Sequence, residues 1–187
     1  MKLGRRSWFD PPGGVLMWII VSLELVTFSI VFVMIALMRT EHPTMFANGQ
    51  RLLDPAFGLA LTLMLLTSGW LVAEAVHAVR ASHLERARAY YFFGLVFGLV
   101  FVVMKLFDFW AKLGTELSMD DDFGAAYILA TGFHFAHVLV GLAMLTRVAS
   151  KLGRRPFDDE ETAVAGTGLF WHMCDLAWLF LFPLFFL

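Results

Sequence analysis

A second cysteine is missing from this sequence. Cys174 stands alone among 187 residues, which excludes an intramolecular disulfide and a two-cysteine metal site. Charge is scarce too: charged residues make up 16% of the chain against 59% hydrophobic, and the formal net charge is −2. Such a near-neutral chain lacks the basic excess that nucleic acid as a partner calls for. There is no low-complexity tract and no internal repeat, and the connections between apolar runs are too short for a soluble domain. What is left is hydrocarbon. The mean hydropathy of +0.73 is that of a membrane protein, and the length suits a compact bundle of transmembrane helices.

Five stretches are long enough for about 30 Å of hydrocarbon, which takes about 20 helical residues. They are roughly 15–38, 56–79, 89–111, 124–148 and 164–187, within a single membrane domain covering 1–187. The expected fold class is therefore all-α, a bundle of five transmembrane helices. The first run is longer than a signal-peptide core and has no small-residue cleavage site, so it is expected to stay as an anchor. Basic residues set the expected orientation. Lys2, Arg5, Arg6, Arg80, Arg86, Arg88, Arg147, Lys151, Arg154 and Arg155 fall on the N-terminal side. The opposite side holds Arg39, Arg51 and Lys112 with the acidic run Asp120–Asp122. The N-terminus is expected in the cytoplasm and the C-terminus outside.

Charged groups at bilayer depth cost at least a few kcal/mol, so each one calls for an explanation. Glu24 lies roughly 14 Å into the first span at 1.5 Å per residue, with no cation near it on its own helix. It is either held neutral, as desolvation favours, or it faces a polar cleft. Thr131, His134 and His137 follow one another at three-residue steps on the fourth span and share a face. His172 and Asp175 do the same on the fifth, bracketed by Trp171 and Trp178. Lys105 and Asp108 form a same-helix pair near the outer end of the third span. Glu74 and His77 sit at the inner edge of the second, where their heads can snorkel. Redox chemistry finds little support in these residues. His134 and His137 share one face and cannot clamp a haem between them, although His172 could oppose one of them. The sole Glu-x-x-His suited to a di-iron bundle, Glu74-Ala-Val-His77, lies at the membrane edge. No metal and no catalytic residue are expected in this chain.

Two segments, "ATGFHFAHVLVG" and "WHMCDLAWLFLF", resemble the signatures of the cytochrome c oxidase subunit III family, T-G-F-H-x-x-H-V-x-x-G and W-H-x-x-D-x-x-W. The resemblance falls on Thr131, Gly132, Phe133, His134, His137, Val138 and Gly141, then on Trp171, His172, Asp175 and Trp178. More loosely, "ELVTF" from Glu24 resembles the family's buried-glutamate segment, and "LLTSG" from Leu65 its second conserved helix. The first two of the seven helices of larger members have no counterpart here. Lys105, Asp108 and Phe109 stand where the family has Gln-x-x-Glu-Tyr, Leu61-Thr62 where it has Asn-Thr, and Ala165 where it has a glutamate. The short form, ending in "LFPLFFL", looks most like the nitric-oxide-reductase-associated (NorE) branch.

The resemblance implies a non-catalytic accessory subunit of a haem–copper oxidase or nitric oxide reductase system, in a bacterial inner membrane. It implies no cofactor in this chain, with haem and copper or iron in the catalytic partner subunit. It also implies phospholipid in a cleft, with Glu24 and His77 as the lipid-cleft or proton-related residues, and possible help with proton or gas access. The polar groups of the last two spans are expected to form one interhelical network. A genuine subunit III of a cytochrome c or quinol oxidase is the alternative. A small proton-coupled transporter, relaying protons through Glu24, His134, His137 and Asp175, and an assembly factor are the rivals of another class. Gly94 and Gly98, four apart, offer the third span a close-packing face for association in lipid.

Overall fold

A computed structural model describes residues 11–112, 117–152 and 160–187. Lys2, Arg5, Arg6, Arg154 and Arg155, used above for orientation, lie outside the described residues. Six helices follow in order: α1 (Val15–Glu41), α2 (Pro43–Gln50), α3 (Pro55–Arg80), α4 (Leu84–Lys112), α5 (Asp122–Lys151) and α6 (Glu160–Phe186). All but α2 are long and apolar enough to cross a membrane. Each of these runs beyond the apolar segment seen in the sequence, because the flanking polar turns continue the helix. The starts are set by local chemistry. The Asp54 carboxylate accepts from the amides of Ala56 and Phe57 and is followed by Pro55, while Asp121 accepts from Gly124, two N-caps that satisfy orphan donors.

Helix α2 was not expected. Its eight residues are too few to be stable alone, and its composition does not mark it as a span. Docking holds it: Phe46 packs edge-on to Phe123 at 5.3 Å, and Gly49 lies against the same ring.

Helix α6 is central, touching α1, α3 and α5 along its length. Pairs of contacts show which helix ends lie together. At one end Arg80 meets Glu161 at 3.5 Å, Arg88 Nε donates to the Leu152 carbonyl at 3.0 Å, and Gly13 abuts Gly166. Gly13 has φ +89°, and a Cβ there would stand 2.7 Å from the Gly166 Cα, so only glycine permits this approach. At the other end Gly58 lies against Phe186, and Arg39 Nη1 donates to the carbonyls of Pro183 and Leu184 at 3.3 Å each. The Arg39 bonds cap carbonyls that the last turn of α6 leaves open. Helix α1 is the least enclosed span. It lies along α6 and contacts α2, and most of its surface is exposed.

Packing of α6 depends on missing side chains. Trp171 is fully buried between Gly98 of α4 and Gly141 of α5. Gly94 lies against Val72 and the Ser68 carbonyl of α3, and Ser68 Oγ donates to the Gly94 carbonyl at 2.7 Å. The Gly94/Gly98 face is therefore used within the bundle, not for a partner. In lipid such close approach matters because no water is expelled when helices meet. An added methyl at Gly141 would stand 2.7 Å from the Trp171 ring, whereas one at Gly132 would meet nothing within 4 Å. Gly141→Ala is expected to destabilise by about 1–3 kcal/mol through overpacking. Gly132→Ala should be neutral or stabilise by up to about 1 kcal/mol. Thermal unfolding in detergent measures both, and equal shifts would contradict the packing described here.

Candidate functional site

The intramembrane polar groups separate into four clusters. At the centre, His134 is fully buried and its Nε2 lies 3.0 Å from the Cys174 carbonyl of α6. A carbonyl only accepts, so the ring carries its proton on Nε2, and Nδ1 is left buried without a hydrogen-bond partner among the described residues. The Trp178 ring lies beside this imidazole at 5.2 Å, tilted by 39°, and donates through Nε1 to Thr62 Oγ1 at 2.9 Å. Thr131 donates to the Tyr127 carbonyl of its own helix, so its hydroxyl is satisfied without crossing the bundle.

The second cluster joins α1 to α5. Glu24 Oε2 lies 3.1 Å from His137 Nε2, with side chains 30% and 14% exposed. His137 Nδ1 faces the Phe133 carbonyl at 2.9 Å and must donate to it. One proton therefore occupies the contact with Glu24, as imidazolium with carboxylate or as imidazole with carboxylic acid. The partner absent from Glu24's own helix is supplied from α5. The surroundings are aromatic, with Phe28 and Phe133 at 5.3 and 4.5 Å from the His137 ring.

The third cluster is His172 with Asp175. Nδ1 donates to Oδ2 at 3.1 Å, and the carboxylate is buried against Gly69 of α3. This pair faces α3, whereas His134 and His137 face α6 and α1, so the single network expected from the sequence is divided. The reason is helical rotation. Trp171, Cys174 and Trp178 follow at steps of three and four and turn toward α4 and α5, which rotates His172 and Asp175 onto the neighbouring face. Near the same end, His77 is exposed at a cavity that His172 also lines.

The fourth cluster centres on a buried lysine. Lys105 is 1% exposed. Its Nζ donates to Asp108 Oδ2 at 2.8 Å and to Tyr127 OH at 2.7 Å, and the same hydroxyl donates to Oδ2 at 2.9 Å. Lys112 reaches Asp108 Oδ1 at 2.7 Å. The ammonium also lies 4.5–5.6 Å from the rings of Phe109, Tyr127 and Trp178, an aromatic lining that favours a cation. The same-helix pair was evident at three-residue spacing. Tyr127 was missed, since nothing in sequence ties it to a lysine on another helix.

The profile of the family described as Cytochrome c oxidase subunit III matches residues 14–187. This chain belongs to the cytochrome c oxidase subunit III family. Similar proteins include cytochrome c oxidase subunit 3 of Corynebacterium diphtheriae, 24% identical over 137 residues, which cover 72% of this chain and 67% of that one. A probable cytochrome c oxidase subunit 3 of Rickettsia prowazekii is 31% identical over 125 residues, 65% of this chain and 44% of that protein. The locust protein of the same name, from Locusta migratoria, is 27% identical over 122 residues, 65% and 46% respectively. The matches thus span about half the length of most of these curated relatives. Within this subunit III-family chain the two signature segments have physical tasks. Gly141 admits Trp171, His134 ties α5 to the α6 backbone, and Trp178 reaches Thr62 of α3.

The fourth cluster generates a test of how charge is held in this family member. Asp108→Asn leaves Lys105 buried without its carboxylate and should cost about 3–5 kcal/mol. Lys105→Met keeps Asp108 paired with Lys112 and puts an apolar chain among the rings, so its cost should be clearly smaller. Unfolding midpoints in detergent give the order, and a larger loss for Lys105→Met would show that the aspartate is not the group the cluster depends on.

Proposed function

We propose that this chain is a non-catalytic accessory subunit of a haem-carrying membrane reductase. The observation that carries this reading is the engagement of both deep histidines of α5. His134 is tied to the Cys174 carbonyl and His137 is held between Glu24 and the Phe133 carbonyl. Both imidazoles join helices to one another, and on this reading the redox centres, haem with copper or iron, belong to the catalytic partner subunit. The protein sits in a bacterial inner membrane, with its N-terminus in the cytoplasm on the basic side.

A groove between α1 and α6 supports a phospholipid ligand. Leu25, Phe28, Phe32 and Val33 face Leu176, Ala177 and Phe180 across a cavity of about 380 Å³. It continues along Phe32, Val33 and Phe180 to a second cavity bounded by Arg39, Pro183 and Leu184. An acyl chain fits the apolar length, and the Arg39 guanidinium stands at headgroup level. A nitric oxide reductase is the partner favoured by the resemblance of this chain to the nitric-oxide-reductase-associated branch. An oxygen reductase is the second reading, favoured by the relatives, which are named as cytochrome c oxidase subunits.

Purification through a tag on this chain in mild detergent, followed by absorption spectroscopy and mass spectrometry, tests the assignment. A haem protein is expected to co-purify, and its haem types distinguish nitric oxide from oxygen reduction. Haem bound to the chain alone, or proton flux catalysed by the chain alone in vesicles, would overturn it.

Glu24 tests whether the α1–α5 contact serves more than packing. Glu24→Gln keeps the shape and a hydrogen bond to His137 Nε2, so folding and complex formation should survive. Turnover by the partner should fall or decay faster, and a hydrophobic carbodiimide should label Glu24 ahead of exposed acids. Unchanged turnover with Glu24 unlabelled would leave the pair a packing role only.

A further inference from the structure

A cavity lies apart from the groove between α1 and α6. It measures about 220 Å³ and lies between the first turns of α1, the last turns of α3 and the inner half of α6. Among its lining residues are Trp18, Val76, His77, Arg80, Gly168 and His172. Two imidazoles from different helices thus open on one space. The helices are antiparallel and in register here: Gly168 lies against Val72 and Val76, and Asp175 against Gly69. His77 follows Val76, and His172 is one turn beyond Gly168. Helical side chains lean toward their own N-terminus, so in an antiparallel pair these two lean toward each other.

The donor chemistry is specific. His172 Nδ1 donates to Asp175 Oδ2 at 3.1 Å, which leaves Nε2 as the ring's open nitrogen on a side chain that is 44% exposed. A carboxylate behind an imidazole is the arrangement that orients metal-binding histidines and raises their basicity. The Arg80 charge is offset by Glu161 at 3.5 Å, so the cationic side chain lining the cavity is already paired.

We infer that His77 and His172 together bind a divalent transition-metal ion, with Asp175 as the orienting group behind His172. Among the described residues no three metal-ligating side chains converge, so water completes the coordination and the ion is exchangeable. Imidazole suits copper, zinc and nickel. Bound there, the ion ties the inner end of α3 to α6. The proposed site does not depend on which reductase the chain joins.

Cu²⁺ is the most sensitive probe, since it binds nitrogen sites most tightly of the first-row divalent ions. The tag-free chain in detergent is titrated with Cu²⁺ and followed by calorimetry, electron paramagnetic resonance and the unfolding midpoint. One ion per chain, superhyperfine splitting from two imidazole nitrogens and a raised midpoint are expected. His77→Gln and His172→Gln should each abolish the two-nitrogen signal, and Asp175→Asn should weaken affinity by about tenfold or more. His83→Gln, at an exposed histidine outside the cavity, should change nothing. His77 has no side-chain hydrogen bond among the described residues, so its variant should fold even if the His172 variant does not. Absence of binding, or binding and spectra unchanged in His77→Gln, would overturn the site.

Discussion

Trp171 occupies the space left by two absent side chains, at Gly98 of α4 and Gly141 of α5, and the placement of the deep polar groups follows from that contact. With the indole wedged there, α6 has one rotation available. Cys174 is brought under His134, and Trp178 reaches Thr62 across to α3. The opposite consequence is that His172 and Asp175 turn toward α3, where Gly69 leaves room for the carboxylate. In a medium that offers no hydrogen bonds, backbone and side-chain polar groups must find partners inside the protein. Here steric fit decides which partners those are.

Each charge is handled locally, not through one long network. Asp108 serves two lysines and a tyrosine, Glu24 takes one imidazole, and Asp175 takes another. Short, separate pairs suit a scaffold, because a defect in one does not strand the others. The lysine cluster braces the C-terminal half of α4 against the N-terminal half of α5, while His134 is level with the His172 pair, since its partner Cys174 lies between His172 and Asp175. Membership of the subunit III family fits a bundle in which the polar groups are engaged in holding helices together.

Helix α1 stands apart from this bracing. Its fastenings are the Glu24–His137 contact, the Arg39 cap on the end of α6, and apolar contact along α6. The grooves beside it are therefore a consequence of how few side chains it shares with the rest. A helix attached at a few points leaves apolar space between its fastenings. The polar contact at Glu24 would then keep the groove's wall in place.

Several features are legible in the sequence itself. Apolar run length determined the five spans, because hydrocarbon thickness sets a minimum helix length. Spacing of three residues determined that Lys105 belongs with Asp108 and His172 with Asp175, since helical periodicity is local. The signature segments determined the family. Tertiary structure alone decided the rest. Helix α2 exists because Phe123 receives Phe46, and Tyr127 joins Lys105 because α4 crosses α5 at that level. Glu24 meets His137 because α1 leans on α5, and Asp175 turns from α5 to α3 because Trp171 fixes the rotation of α6. Periodicity states which residues share a face. Which neighbour that face meets depends on the shapes of several helices at once, and no single segment contains that information.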